Sequence, residues 1–400
     1  MKIGDLEIDD SDINEQQANE LYRWLCEGAS PHQSAHGIVG GMCEQLVEAG
    51  VPLSRLALFI FTIHPTIRGR RVGWSPEEGA ETFSAGYEVF QSAIYHNNPI
   101  PVVLETKKSI RRKLVDPDCP HDYIIVDELL EEGFTDYLIT PLVYLSGEVH
   151  CVSWSSRAPE GFSSNAIDLI EKISHPLARL SEIYMLRLNS ATLLSTYVGR
   201  NAGDKVMAGQ VKLGDGEDIQ AAILFADIKG FTNLSNRMSA NNVLQMLNLF
   251  FAAVEKPINS HHGEILKFMG DGVLAIFPVS KEDIDESSAV WNAFSSLSEA
   301  RTIVDIESRG ELSFRASIHI GKIHYGNIGG ERRLDFTAIG SSVNLGARLL
   351  SAASDLNSDY VCSKSAAVYL KDCVGKPTEF KAKGFDDLQK VYSLELAEQN

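Results

Sequence analysis

Between Ala221 and Pro278 the chain twice runs an apolar strand up to an aspartate, and that repeated device restricts the fold more than any bulk property does. AAILFADIKGFT reads as a buried strand, Ala222 to Ala226, that ends on Asp227, turns through Gly230 and enters a helix near Thr232. Further on, GEILKFMGDGVLAIF reads as two short apolar strands folded about Gly270-Asp271-Gly272, a hairpin turn signal. A lone aspartate at a strand end is ordinarily a turn or helix cap. Two of them at the ends of neighbouring strands are what a pair of hard divalent cations needs. Such cations take oxygen ligands, and a two-metal clamp holds a triphosphate while activating an attacking oxygen.

FADIKGFT, LKFMGDGVLAIF and RLDFTAIGSSVNLGARL (Arg333 to Leu349) occur in that order and resemble the catalytic domain of class III nucleotidyl cyclases, over roughly the last half of the chain. The resemblance implies an α+β domain with a ferredoxin-like βαββαβ core that converts ATP to 3′,5′-cyclic AMP and pyrophosphate with two Mg²⁺ or Mn²⁺ ions per site. Asp227 and Asp271 match the family's metal-binding aspartates, and the Ile228 carbonyl completes one coordination shell. The amides from Ile228 through Gly230 and Phe231 to Thr232 lead into a helix N-terminus that favours a triphosphate. Lys267 falls where adenylate cyclases contact adenine N1, a position that is typically Glu in guanylate cyclases. Thr337 matches the second base-reading position, often Asp in adenylate cyclases and Thr in a large bacterial subset; its hydroxyl both donates and accepts and so reads less strictly. Asn344 and Arg348, four residues apart on an expected helix, match the pair that orients the ribose and stabilises charge on phosphorus. Lys383 resembles loosely a lysine that approaches the phosphates; a surface lysine on a hairpin is the plain alternative. Class III sites form between two such domains, so a head-to-tail homodimer is implied, with Asp227 and Asp271 from one subunit facing Lys267, Thr337, Asn344 and Arg348 of the other. The alternatives are a guanylate or dual-specificity cyclase, or a catalytically silent nucleotide-binding signalling protein.

Four hundred residues exceed one typical domain. The sequence divides into an N-terminal domain over 1–172, a helical linker over 173–216 and the catalytic domain over 217–400. A net charge of −18 argues against nucleic acid or an anionic membrane surface as the main partner. No apolar run reaches the roughly 18 to 20 residues of a spanning helix, and the acidic start lacks a signal peptide's pattern, so a cytoplasmic chain is expected. The six cysteines are scattered without a CxxC pair.

In the first half, helical spacing from Gln16 to Gly50 is followed by strand signals and a closing amphipathic helix. That order resembles a GAF-type sensor domain, with a PAS-like or other α+β domain as the alternative and no indication of the signal it receives. Cys119-Pro120-His121 is similar to haem- or bilin-linked elements, yet its flanks are turn formers and favour a plain loop. Lys107, Lys108, Arg111, Arg112 and Lys113 read as a solvated helix face, and His64, His150 and His175 as structural histidines. Ile173, Leu177, Leu180, Tyr184 and Leu188 form a stripe that serves either as a parallel dimer seam, the preferred reading, or as an intrachain core. Thr196 to Glu217 reads as a glycine-rich, turn-punctuated joint.

Overall fold

The computed structural model describes residues 13–32, 34–280, 283–356 and 358–396. The chain forms two compact units, Met1–Leu193 and Leu194–Asn400.

In the first unit, α1 (Glu15–Cys26) and α2 (Ala35–Glu48) precede β1 (Arg55–Phe61), β2 (Ile67–Ser75) and β3 (Gly79–Gly86). There follow α3 (Ala93–His96), α4 (Pro99–Thr106), β4 (Ile110–Lys113), α5 (Ile124–Glu131), β5 (Asp136–Val143), β6 (Val149–Ser156) and the long α6 (Ser164–Val198). Asn14 and Ser34 cap the first two helices through their side chains, which accept from the Gln17 and Gly37 amides. The six strands form one antiparallel sheet in the order β3-β2-β1-β6-β5-β4. Alternation along the strands sends Leu56, Leu58, Ile60, Val152 and Trp154 into a core with α1, α2 and α6. Tyr137, Ile139 and Cys151 enter a second core with α4 and α5.

Two expectations change here, and a third, the Cys119 loop, is filled in. The basic run is no helix face: Arg111 and Arg112 lie on β4, where Arg111 grips the fully buried Asp136 at 2.6 and 3.2 Å and Arg112 grips Asp122 at 2.5 and 3.0 Å. A buried carboxylate needs a charged partner, and that partner is what draws the run into the sheet. Ile173 and Leu177 lie in their own chain's core, with Leu180, Tyr184 and Leu188 packed against it, so the stripe is an intrachain one. Cys119 is packed in the second core, its thiol pushed up by burial, while the exposed His121 contacts Asp127 at 2.5 Å.

In the second unit the joint contains a helix, α7 (Arg200–Met207), before β7 (Gly216–Ile228), α8 (Phe231–Ser235), α9 (Ala240–Ser260), β8 (Glu264–Met269) and β9 (Gly272–Pro278). Then come α10 (Glu286–Ser308), β10 (Phe314–Gly330), β11 (Arg333–Ile339), α11 (Ser341–Asp355), β12 (Tyr360–Ser363), α12 (Lys364–Ala367), β13 (Val374–Phe380) and β14 (Gln389–Leu394). The sheet runs β13-β14-β12-β10-β7-β9-β8, with β11 paired to β10. Its heart, β7-α9-β8-β9-α10-β10, places the first strand between the last and the third, a βαββαβ arrangement with antiparallel neighbours. Phe250 and Val254 of α9 and Ala289, Ala293 and Leu297 of α10 cover one face, over Leu224, Ala226, Ala275 and Ile318. Small alanines on α10 let the helix lie close to the sheet. On the other face Ile223, Phe225, Leu274, Tyr325 and Phe336 pack with Ala202 of α7 and Val343 of α11.

Candidate active site

Asp227 is the next-to-last residue of β7, in register with Gly272 on β9 and Arg315 on β10. The chain then reverses at Gly230, whose φ of 71° suits glycine, into the five-residue α8. Asp271 occupies the two-residue loop between β8 and β9, where Gly270 takes the same left-handed conformation at φ 68°. The Ile228 amide donates to the Asp271 carbonyl at 3.2 Å and ties the two strand ends together. Two acidic residues from separate motifs thus share one corner of the sheet.

Asp227 is held by a residue that no motif singled out. Arg315 donates from Nε and Nη2 to its two carboxylate oxygens at 3.1 and 3.0 Å. Burial nevertheless pushes the Asp227 carboxyl above its ordinary value, with Arg315 pulling it down and Asp271 pushing it further up. Two carboxylates and the Ile228 carbonyl are hard oxygen donors whose mutual repulsion a cation relieves, so this corner fits Mg²⁺ or Mn²⁺. Among the described residues no group of three or more His, Cys, Asp or Glu could hold a metal on its own. The amides expected to meet phosphate are fewer than the motif implied. Ile228 N–H is spent on Asp271 and Lys229 N–H on the Ser313 carbonyl at 2.9 Å, leaving Gly230, Phe231 and Thr232.

Lys267 lies on β8 next to a register shift between Ile265 and Lys267. That bulge keeps Leu266 in the core while Lys267 is only half-buried. Its Nζ reaches Asp335 Oδ2 on β11 at 2.9 Å. Thr337, two residues along β11, is buried, and among the described residues its Oγ1 has no hydrogen-bond partner. A buried hydroxyl in that condition is uncommon in a folded chain. Asn344 and Arg348 both emerge on the exposed side of α11, while Val343, Gly346 and Leu349 turn inward. Lys383 sits exposed in the loop between β13 and β14. Arg315 and Asp335 escaped the sequence reading because their importance lies in partners 88 and 68 positions away.

The sequence model described as the adenylate and guanylate cyclase catalytic domain matches residues 216–390. An uncharacterised protein of Mycobacterium tuberculosis is 37% identical over 164 residues, which is 40% of this chain and 29% of that protein. A second one from the same organism is 32% identical over 173 residues, 43% of this chain and 29% of its own. The matches thus span less than a third of these relatives' length. Among solved structures, the adenylyl cyclase CyaB from P. aeruginosa is 25% identical with a TM-score of 0.40, covering 46% of this chain and 97% of that one. The guanylyl cyclase Cya2 gives the same identity and TM-score over 46% of this chain and 99% of its own. By that sequence match, residues 216–390 of the C-terminal unit form an adenylyl/guanylyl cyclase catalytic domain.

Proposed function

We propose that the protein is an adenylate cyclase, acting as a homodimer and regulated by its N-terminal unit. The observation that carries the reading is the shared corner of Asp227 and Asp271, joined through the Ile228 amide, with Lys267 on the same hairpin as Asp271. Asp227, Asp271 and the Ile228 carbonyl would hold the cations, and the substrate's phosphates would complete their shells. When bound, two Mg²⁺ or Mn²⁺ ions would lower the pKa of the ribose 3′-hydroxyl and neutralise the departing pyrophosphate.

The chain's own groups do the rest. The amides of Gly230, Phe231 and Thr232 would receive the triphosphate, with Lys383 approaching it from the β13–β14 loop. Lys267 would donate to adenine N1, which guanine replaces with an N–H donor. Asn344 would orient the ribose, and Arg348 would donate to the α-phosphate oxygens as the 3′-oxygen attacks phosphorus in line and pyrophosphate leaves. Apolar side chains left in solvent at the hairpin and on β11, Phe268, Met269, Leu334 and Ile339, favour a site closed by a second copy.

In the first unit, the six-stranded antiparallel sheet with helices on both faces supports the GAF-like reading. A cavity of about 360 Å³ lined by Phe61, Arg68, Phe90, Tyr95, His150 and Asn189 could receive the signal. Asn189 also accepts a hydrogen bond from the Ile63 amide at 3.2 Å, tying the cavity wall to α6.

Cyclic nucleotide production by the full chain from ATP and from GTP, with Mn²⁺ and with Mg²⁺, tests the reading. Cyclic AMP as the main product supports it; cyclic GMP as the main product overturns the choice of base, and neither product leaves a silent nucleotide-binding protein.

A further inference from the structure

We propose that Asp335 is a positioning residue for base recognition, holding Lys267 and supplying the carboxylate that the second base-reading position lacks. The inference rests on the cyclase reading and concerns a residue outside the matched site positions. Lys267 comes off a bulged strand with a flexible four-carbon stem, and nothing in its own strand fixes the direction of its ammonium group. Asp335 does so, at 2.9 Å, from β11. Thr337 stands two residues further on the same strand and therefore on the same face, opposite to Phe336 and Ala338, which enter the core.

Where adenylate cyclases often set a carboxylate against the six-amino group, this chain has a hydroxyl that is buried and, among the described residues, unpartnered. The carboxylate is displaced by one pleat to Asp335, whose side chain is 58% exposed and so accessible to a nucleotide. An ammonium beside a carboxylate presents one donor and one acceptor side by side, the complement of adenine N1 and its exocyclic amine. With Lys267 on N1, guanine would set its O6 acceptor against the Asp335 carboxylate and its N1–H against the ammonium, two mismatches in a desolvated site. Asp335 thereby offsets the permissiveness of Thr337.

The test uses the full chain with initial rates on ATP and GTP. Asp335→Asn should raise the KM for ATP roughly tenfold or more and lower the ATP:GTP ratio of kcat/KM by a similar factor, as expected for losing one charge-assisted contact. Its kcat at saturating ATP should fall much less, and Asp335→Glu should recover part of the KM. In a Lys267→Ala background the same Asn substitution should raise the KM by a smaller factor than in the wild type, because its positioning role is gone and only its own contact to the amine remains. An active wild type whose Asp335→Asn variant keeps its KM and its base preference overturns the inference alone, and so does an undiminished effect in the Lys267→Ala background. A wild type that makes neither cyclic nucleotide overturns the cyclase reading and this inference with it.

Discussion

At the scale of single residues, ion pairs across the sheet hold the groups that the motifs supply. Arg315 and Asp227 bury most of their side chains, leaving 22% and 24% exposed, and their two-point contact keeps a half-buried carboxylate satisfied. Arg315→Met should cost the C-terminal unit about 1 to 3 kcal/mol, read as a lowered Tm, because Asp227 loses its partner while staying desolvated. Two histidines give a pH signature. Burial pushes both His150 and His319 from 6.5 down to about 4. The unfolded chain takes up a proton at each as pH falls through about 6.5, whereas the folded chain does so only near 4. Their contribution is therefore complete above pH 6.5 and is lost as pH falls towards 4, by up to roughly 3 kcal/mol per site. His319→Asn should flatten the acid side of the C-terminal unit's stability curve, measured as Tm between pH 7.5 and 5. An unchanged slope would show that His319 is protonated in the folded unit.

At the scale of elements, β7 and the β8–β9 hairpin were legible because continuous apolar runs and a Gly-Asp-Gly turn are local signals. β4 and α7 were not. Five basic residues in seven look like a solvated face until Asp136 and Asp122 are placed beside them. The glycines around α7 look like breakers until tertiary contacts are counted. Gly203 lies against the backbone of Ser195, where a Cβ would come to 3.1 Å, so its smallness serves packing. Glu264, 5% exposed at the start of β8, accepts from Tyr325 Oη at 2.7 Å, Asn201 Nδ2 at 3.0 Å and the Ala202 amide at 3.3 Å, fastening α7 to the face of the sheet. Lys205 of α7 adds an ion pair to Glu217 and lies 4.6 Å from the centre of the Tyr325 ring. Removing the Glu264 carboxylate leaves three donors short of an acceptor. Glu264→Ala should destabilise the unit by about 2 to 4 kcal/mol and speed amide exchange in Arg200–Met207 before the rest of the sheet.

At the scale of the whole molecule, α6 presents a second stripe. Ile183, Leu186, Leu193 and Tyr197 are 64%, 62%, 38% and 83% exposed and, with Ser190, follow an a-d heptad spacing on the side away from Ile173 and Leu177. A parallel pairing along this stripe is the dimer contact to test: Leu186→Glu should raise the dimer dissociation constant at least about tenfold by sedimentation, and an unaltered constant would place the contact elsewhere. The homodimer reading also predicts complementation. Asp271→Ala and Arg348→Ala chains, each nearly inactive alone, should regain up to about a quarter of wild-type activity when mixed in equal amounts, since half the dimers are mixed and each has one intact site. No recovery would argue for sites within single chains. What the sequence alone determined was the α+β class and the order of the motifs that nominate the candidate site, because strands, turns and strand-end aspartates are written in neighbouring residues. Only the tertiary structure decided which charges meet: Arg315 on Asp227, Asp335 on Lys267, Asp136 on Arg111, and which stripe of α6 faces the core. Those pairings depend on register between strands and on packing between elements far apart in the chain, and no local pattern encodes either.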